Sequence, residues 1–289
     1  MSEPSKILIT GTAGQVGGEL LRLFPQALAP TRADLDLTCE ASVRAYIRHH
    51  NPRWIINPAA YTAVDKAESE PALAHAVNAE APRMLGEEAQ KIGATVLHFS
   101  TDYVFDGTKS TPYLEDDPTN PLGVYGASKL AGEQALAATG AAHIILRTSW
   151  VYGATGKNFL LTILKLAAER PELKIVADQH GAPTWSRDLA TLAAKLIAAE
   201  SIPSGVYHAT SSGETTWHGF ASEFLRLADI RTNVIPIPTS AFPTPARRPA
   251  NSRLNCDKLY RTFNLQLPNW QQSLATLMSE LPYASSRQL

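Results

Sequence analysis

Cysteine is scarce in this chain of 289 residues; there are two, Cys39 and Cys256. They are far apart and form no metal-ligand pair, which excludes a disulfide framework and points to a reducing compartment. Charge is scarce as well. Asp, Glu, Lys and Arg make up 18% of the residues, against roughly 25% in an average soluble protein. The 26 basic and 27 acidic residues leave a net charge of −1. No global basic field invites nucleic acid, and no acidic excess suggests a solvating tail. A long apolar run is also missing: Leu189–Ala199 is interrupted by Lys195 and too short to span a bilayer. The polar Met1–Lys6 leads at once into a strand pattern and leaves no room for a signal peptide. A cytoplasmic protein without membrane or nucleic-acid partners is expected. Hydrophobic residues, at 44%, suffice for a sizeable core.

Short apolar runs alternate with helical patterns through the first half. Lys6–Thr10, Arg53–Asn57, Thr95–Ser100 and Ile144–Thr148 read as strands. Val16–Phe24, Ala41–His50, Pro71–Ile92 and a segment from about Gly126 read as helices, with Gly93 as a C-terminal stop. Such alternation predicts an α/β fold, a Rossmann-like doubly wound parallel sheet over residues 1–150. After Trp150 the rhythm loosens. Residues 151–289 are expected to form mainly a smaller α/β substrate-binding domain, with elements from about 174–200 returning to the first. Five prolines between Pro236 and Pro249 concentrate irregular structure late in the chain.

Gly11-Thr-Ala-Gly14-Gln-Val-Gly17 follows the first strand and opens a helix. Glycines so placed allow a tight turn and close approach to a pyrophosphate at the positive end of the helix. The same turn also occurs without a ligand, and its first gap is one residue longer than the standard dinucleotide fingerprint. Further on, Arg32, Asp34 and Asp36 are candidates to select the cofactor. An Asp favours a free ribose 2′-hydroxyl and Arg32 a 2′-phosphate, so NADH and NADPH both stay open.

Of nine tyrosines only Tyr125 has a lysine at i+4, Lys129. On a helix the two share a face, and an ammonium favours the phenolate of its neighbour. Such a pair passes a proton to or from a substrate oxygen while a nicotinamide handles hydride; elsewhere it is a surface pair. Thr101 stands 24 residues before Tyr125, at the end of an expected strand. There it either approaches the phenol or caps local backbone.

Taken together, Gly11–Gly17, Ser100-Thr101 and Tyr125/Lys129 resemble the extended short-chain dehydrogenase/reductases. Thr62–Pro71, Ser100–Phe105, Arg147–Tyr152, Gly181–Thr184 and Pro243–Pro249 match a branch that reduces nucleotide-linked 4-keto sugars. The resemblance implies NAD(P)H-dependent reduction at C4 of dTDP-4-dehydro-L-rhamnose, for cell-surface polysaccharide. It makes Tyr125 the proton donor, Lys129 the ribose ligand that lowers the tyrosine pKa, and Thr101 the residue that orients it. Gly14, Gln15 and Val16 fall to the pyrophosphate, Asp36 and Leu37 to the adenine side, and Ala60, Tyr61 and Thr62 beside the cofactor. Thr101, Asp102, Trp150 and Asn158 fall to the substrate. Two other readings stay open: a reductase giving the other C4 epimer, and a cofactor-binding regulatory subunit similar to the β subunit of methionine adenosyltransferase. An intact Thr101, Tyr125 and Lys129 argues against the second. A dehydratase is disfavoured because Asp102 lacks a second carboxylate beside it.

Arg247 and Arg248 lie in the proline-stiffened stretch. Between Ile230 and Arg261 six basic residues face one acid, Asp257. Guanidinium groups pair phosphate oxygens bidentately, so this loop is the expected diphosphate clamp. Some relatives are described as dimers bridged by magnesium. Glu19 matches one such position, but the partner region carries Arg187 beside Asp188, so no metal is expected, and the chain is a monomer or homodimer.

Overall fold

The computed structural model describes residues 7–199 and 201–281; Met1–Lys6, with the first residue of the expected opening strand, lie outside them. β1 (Ile7–Ile9), β2 (Trp54–Asn57), β3 (Thr95–Thr101), β4 (Ala142–Thr148) and a fifth strand, Gly205–His208, form one parallel sheet in that order. Leu28 bridges to the free side of β1, its N–H donating to Ile7 O at 2.8 Å. The chain thus leaves β1 to one side and then returns past it to β2. Doubly wound sheets bind ligands at such a reversal, beyond the carboxyl ends of the strands. The glycine turn begins there.

Strands buried on both faces must be apolar throughout, with neighbours along a strand serving opposite layers. Ile9, Ile56, Leu97 and Leu146 enter one core with Leu189, Leu192 and Leu196 of the Ser186–Ile197 helix. Leu8, Ile55, Val96 and Ile145 enter another with Val43, Ile47 and Leu85. A third core, with Leu160, Leu164, Phe220, Phe224, Leu274 and Leu277, belongs to the late half.

The late half differs from expectation. The strand expected at Lys174–Ala177 runs Glu172–Val176 and does not return to the main sheet. It pairs in parallel with Asn233–Ile237, because Leu173 and Ile175 belong to the third core. The Ser186–Ile197 helix, the Gly205–His208 strand, Leu259 and Leu267 do return. The last helix starts at Trp270 rather than Leu265, capped by the Asn269 side chain on Gln271 N at 2.9 Å. The expected helix Pro71–Ile92 is interrupted by a π-helical turn at Ala76–Glu80.

One ion network fastens the Glu40–His50 and Ala81–Ile92 helices. The Glu88 side chain is fully buried and meets Arg44 and Arg48 at 2.6 Å and Lys91 at 2.7 Å. The Arg48 hydrogen bond is the largest influence and outweighs burial; with Lys91 and Arg44 it holds the carboxyl at about 2. A folded-state pKa below the unfolded value adds stability that is full above the unfolded value and lost as pH falls through the folded one. Glu88→Gln is therefore expected to cost roughly 2–3 kcal/mol at neutral pH. It should also flatten the loss of stability between about pH 4.5 and pH 2. Urea titrations across that range check both, and an unchanged slope would refute the assignment.

Candidate active site

The turn after β1 packs backbone against backbone, which only glycine allows. Gly11 has φ +59°, and a Cβ there would lie 2.8 Å from Ala59 Cα. A Cβ on Gly17 would lie 2.2 Å from Gly11 O. Helix α1 (Gln15–Leu23) has Gly14 as N-cap, no capping side chain and no acid in its first turn, so its free N–H groups suit an anion. These residues fit a dinucleotide pyrophosphate. Gly17→Ala is expected to weaken NADPH binding by at least about tenfold. Fluorescence titration, with circular dichroism as a folding check, tests this; an unchanged Kd would refute it.

On the adenine side, Asp36 accepts from Thr38 N at 2.9 Å and Thr38 Oγ1 at 2.7 Å, which lowers its pKa. Its own N–H donates to Ser42 Oγ at 3.1 Å. Arg32 is exposed and close enough to lower the Asp36 pKa slightly further, and Leu37 is half-buried. Asp34 is engaged by Thr31 N and Oγ1.

The Ala60-Tyr61-Thr62 segment is fixed through Tyr61. Its N–H donates to Asn78 Oδ1 at 2.8 Å, and Asn78 Nδ2 donates to Tyr61 O at 3.1 Å and Ser128 Oγ at 3.0 Å. Asn78 sits in the π turn, fully buried. A Cβ on Gly132 of the facing Val124–Ala138 helix would lie 2.0 Å from Asn78 O. The extra residue of a π turn is a frequent device for aiming a side chain at a functional site. The Tyr61 hydroxyl donates to Glu70 at 2.7 Å.

Tyr125 and Lys129 stand one turn apart on that helix, and Thr101 ends β3. Thr101 Oγ1 accepts from Tyr103 N at 3.2 Å, a local cap, and its hydroxyl lies close enough to the Tyr125 phenol to lower that phenol's pKa. Burial pushes the Tyr125 phenol up to about 12, against the Thr101 hydrogen bond and with a smaller push from Asp102. Burial pulls the Lys129 ammonium down to about 8, opposed by Glu133. Asp102 Oδ1 accepts from Thr101 Oγ1 at 3.0 Å, and Oδ2 has no partner among the described residues. Burial raises the Asp102 carboxyl to about 7, opposed by the Ser252 and Thr101 hydroxyls. A cavity beside Tyr125 is lined by Tyr103, Gly123, Glu68, Arg247 and Pro249.

Trp150 holds φ +49°, an uncommon conformation for a bulky residue. Its ring stacks on Trp217 at 3.7 Å, and a Cβ on Gly181 would lie 2.6 Å from it. Trp217 Nε1 donates to Gln179 Oε1 at 3.1 Å. Nothing in the sequence marked Trp217 or Gln179.

Two expected substrate residues are otherwise engaged. Asn158 caps the Phe159–Glu169 helix through Leu161 N at 3.0 Å, and its amide donates to Gln15 Oε1 and Gly153 O, each at 3.0 Å. It ties the glycine turn to the late half. Arg248 turns towards Asp65, with Nη2 at 2.8 Å from Oδ2 and Nη1 at 3.0 Å from Oδ1. It is a brace for the loop, while exposed Arg247 faces the cavity. Backbone bonds from His180 N to Ala250 O at 2.8 Å and from Ser252 N to His180 O at 2.7 Å hold the loop's far end.

Glu19 is met by Arg22 at 3.0 Å and Arg187 at 3.6 Å, so guanidinium groups already supply its positive charge. Asp188 accepts from Ser273 Oγ. No cluster of metal ligands occurs, and no helix is long and apolar enough to cross a membrane, among the described residues.

A dinucleotide turn at the reversal of a doubly wound sheet, with a phenol and an ammonium one helical turn apart nearby, is the arrangement of a short-chain dehydrogenase/reductase. A family model described as the RmlD substrate binding domain matches residues 5–282. The chain is 47% identical to dTDP-4-dehydrorhamnose reductase of Burkholderia thailandensis, covering 96% of this chain and 99% of the relative. It is 45% identical to the enzyme of that name from Escherichia coli strain K12, covering 95% and 97%. The crystal structure of dTDP-4-dehydrorhamnose reductase from Bacillus anthracis in complex with NADP superposes with a TM-score of 0.93. It is 36% identical over 96% of this chain and all of that one. The chain belongs to the dTDP-4-dehydrorhamnose reductase family.

Proposed function

We propose that this protein is an NAD(P)H-dependent oxidoreductase that reduces the C4 ketone of dTDP-4-dehydro-L-rhamnose to dTDP-L-rhamnose. One observation carries the reading: Tyr125 and Lys129 stand one turn apart on one helix, Thr101 ends β3 beside the phenol, and the glycine turn opens a helix whose first N–H groups have no capping side chain. The nicotinamide, when bound, supplies the hydride. Tyr125 holds its proton through neutral pH and gives it to the C4 oxygen as negative charge develops there. Thr101 orients the phenol by its hydrogen bond. Lys129 places an ammonium one turn away, which favours the phenolate left behind. Asp102 and Trp150 are assigned to the sugar, and Arg247 to the diphosphate, where a guanidinium fits phosphate oxygens. Residues 1–150 are assigned to the cofactor, together with the returning elements of the late half. The third core carries the substrate side. The cytoplasm suits an enzyme with two free cysteines.

The test is incubation of the purified protein with dTDP-4-dehydro-L-rhamnose and NADPH or NADH, followed by NMR of the product sugar. Oxidation of either cofactor with formation of dTDP-L-rhamnose is expected. No oxidation of either would sink the reading, and the opposite C4 configuration would reassign the product.

A further inference from the structure

Beside Lys129 runs a line of buried polar groups that the chemistry above does not use. Thr10, Asn57, His98 and Lys129 are each 2% exposed or less. Thr10 Oγ1 lies 2.6 Å from Asn57 Oδ1, and Asn57 Nδ2 lies 3.0 Å from His98 Nδ1. His98 Nε2 lies 3.2 Å from Lys129 Nζ, which also donates to the Phe99 carbonyl at 2.6 Å. Sheet register makes the line. Asn57 and His98 are cross-strand partners, and Thr10 continues β1 alongside through its N–H to Ile56 O at 3.0 Å. Three adjacent strands therefore each present a polar side chain at one level of an otherwise aliphatic sheet. Aliphatic side chains there would avoid the desolvation of three polar groups, so packing alone does not account for them.

Lys129 is surrounded by few charged or titratable groups. Glu133 follows on the same helix but is already paired with Arg147 of β4 at 2.7 Å. Tyr125 precedes it on that helix, and Asp102 follows the end of β3. His98, from β3, makes the side-chain contact with Nζ. Burial and the Lys129 charge keep the imidazole neutral, well below its usual pKa. An ammonium can only donate, so Nε2 must accept from Lys129 and Nδ1 must carry the ring proton. The network therefore turns the Asn57 amide to present its oxygen to Nδ1 and its nitrogen to the Thr10 hydroxyl, which exchanges two atoms of the same shape.

We propose that His98, braced through Asn57 and Thr10, is a positioning residue for Lys129: it fixes Nζ and accepts one of its three N–H groups, leaving one beyond the Phe99 contact for the bound cofactor. The proposal rests on the reductase reading. Removing the acceptor withdraws support from the charged form, so Lys129 loses its proton at lower pH.

The test measures kcat and the KM for NADPH between about pH 6 and pH 10 for the wild type, His98→Leu, His98→Gln and Thr10→Val. His98→Leu is expected to lower kcat about tenfold and to move the alkaline limb to lower pH by at least about half a unit. His98→Gln, whose amide reaches the level of Nε2, should restore most of both. Thr10→Val keeps volume, cuts the brace at its far end, and should move the limb in the same direction by less. A wild type that fails to oxidise NADPH would remove the reductase reading itself. An active wild type with the limb unmoved in His98→Leu overturns the proposal, whatever the rate. Should His98→Leu not fold, a limb unmoved in Thr10→Val overturns it instead.

Discussion

Replacing Tyr125 with phenylalanine is expected to lower kcat by about 10²–10⁴-fold, the contribution of a positioned general acid. NADPH affinity should change by no more than a few-fold. The substitution removes one oxygen and keeps the ring, which packs edge-on against Tyr103 at a centroid distance of 5.7 Å, so the helix should fold unchanged. The phenol that is lost sits among groups that set its chemistry: the Thr101 hydroxyl lowers its pKa, and burial outweighs this and keeps it protonated up to about 12. Tyr103, the phenol packed against it, does not replace it at neutral pH, because burial and Asp102 push it still higher. Steady-state kinetics decide; retention of more than a tenth of the wild-type kcat would remove Tyr125 as proton donor.

The pH profile supplies an independent check on the same pair. Lys129 is charged below about 8 and neutral above it, since burial depresses its pKa from 10.5. Turnover is therefore expected to decline as pH rises through that value, when the ammonium no longer favours the phenolate.

The glycine turn and the Tyr125/Lys129 pair were legible because local spacing encodes both. A strand, three glycines and a helix start occupy a single stretch, and a four-residue interval puts two side chains on one helix face. Elements bounded by a clear signal, such as Gly93 or the Val124–Ala138 helix, follow for the same reason. What the sequence concealed depends on distant partners. Asp65 pairs with Arg248 across 183 positions, a brace on the loop that no local spacing announces. Asn158 closes a helix through Leu161 N and reaches Gln15 across 143 positions, and neither partner is visible from its place in the chain. His98 and Asn57 read as polar interruptions of apolar strands, and only the register of β2 with β3 joins them. Asn78 lies inside an apparently continuous helical pattern, and Pro82, four residues on and without an N–H for the Asn78 carbonyl, is the local signal of an irregular turn there. The Glu172–Val176 strand pairs with Asn233–Ile237 and not with the main sheet, because a short apolar run states its period and not its partner.

The other large effect concerns the ion pair behind the site. Glu133 and Arg147 are about 95% buried, with Arg147 Nη2 at 2.7 Å from Oε2 and Nε at 3.0 Å from Oε1. Ser100, next to Thr101, donates to the same carboxylate. Arg147 also stacks over Phe105 at 5.1 Å and donates to Glu115 O at 3.3 Å. The pair spans from the Val124–Ala138 helix, which carries Tyr125 and Lys129, to β4. Arg147→Met strands a carboxylate in a dry interior and is expected to cost about 3–5 kcal/mol, because the desolvation of Glu133 is then uncompensated. Arg147→Met with Glu133→Leu removes both charges and should recover most of that loss, short of about 1 kcal/mol for the Ser100 hydroxyl left without its partner. Turnover should not recover in parallel, since Ser100 no longer anchors the end of β3 on which Thr101 sits. Urea midpoints of the three proteins, measured with kcat, separate the two consequences. A double variant no more stable than Arg147→Met would show that the pair contributes by shape rather than by charge, and a single variant costing under about 1 kcal/mol would show that water reaches the carboxylate.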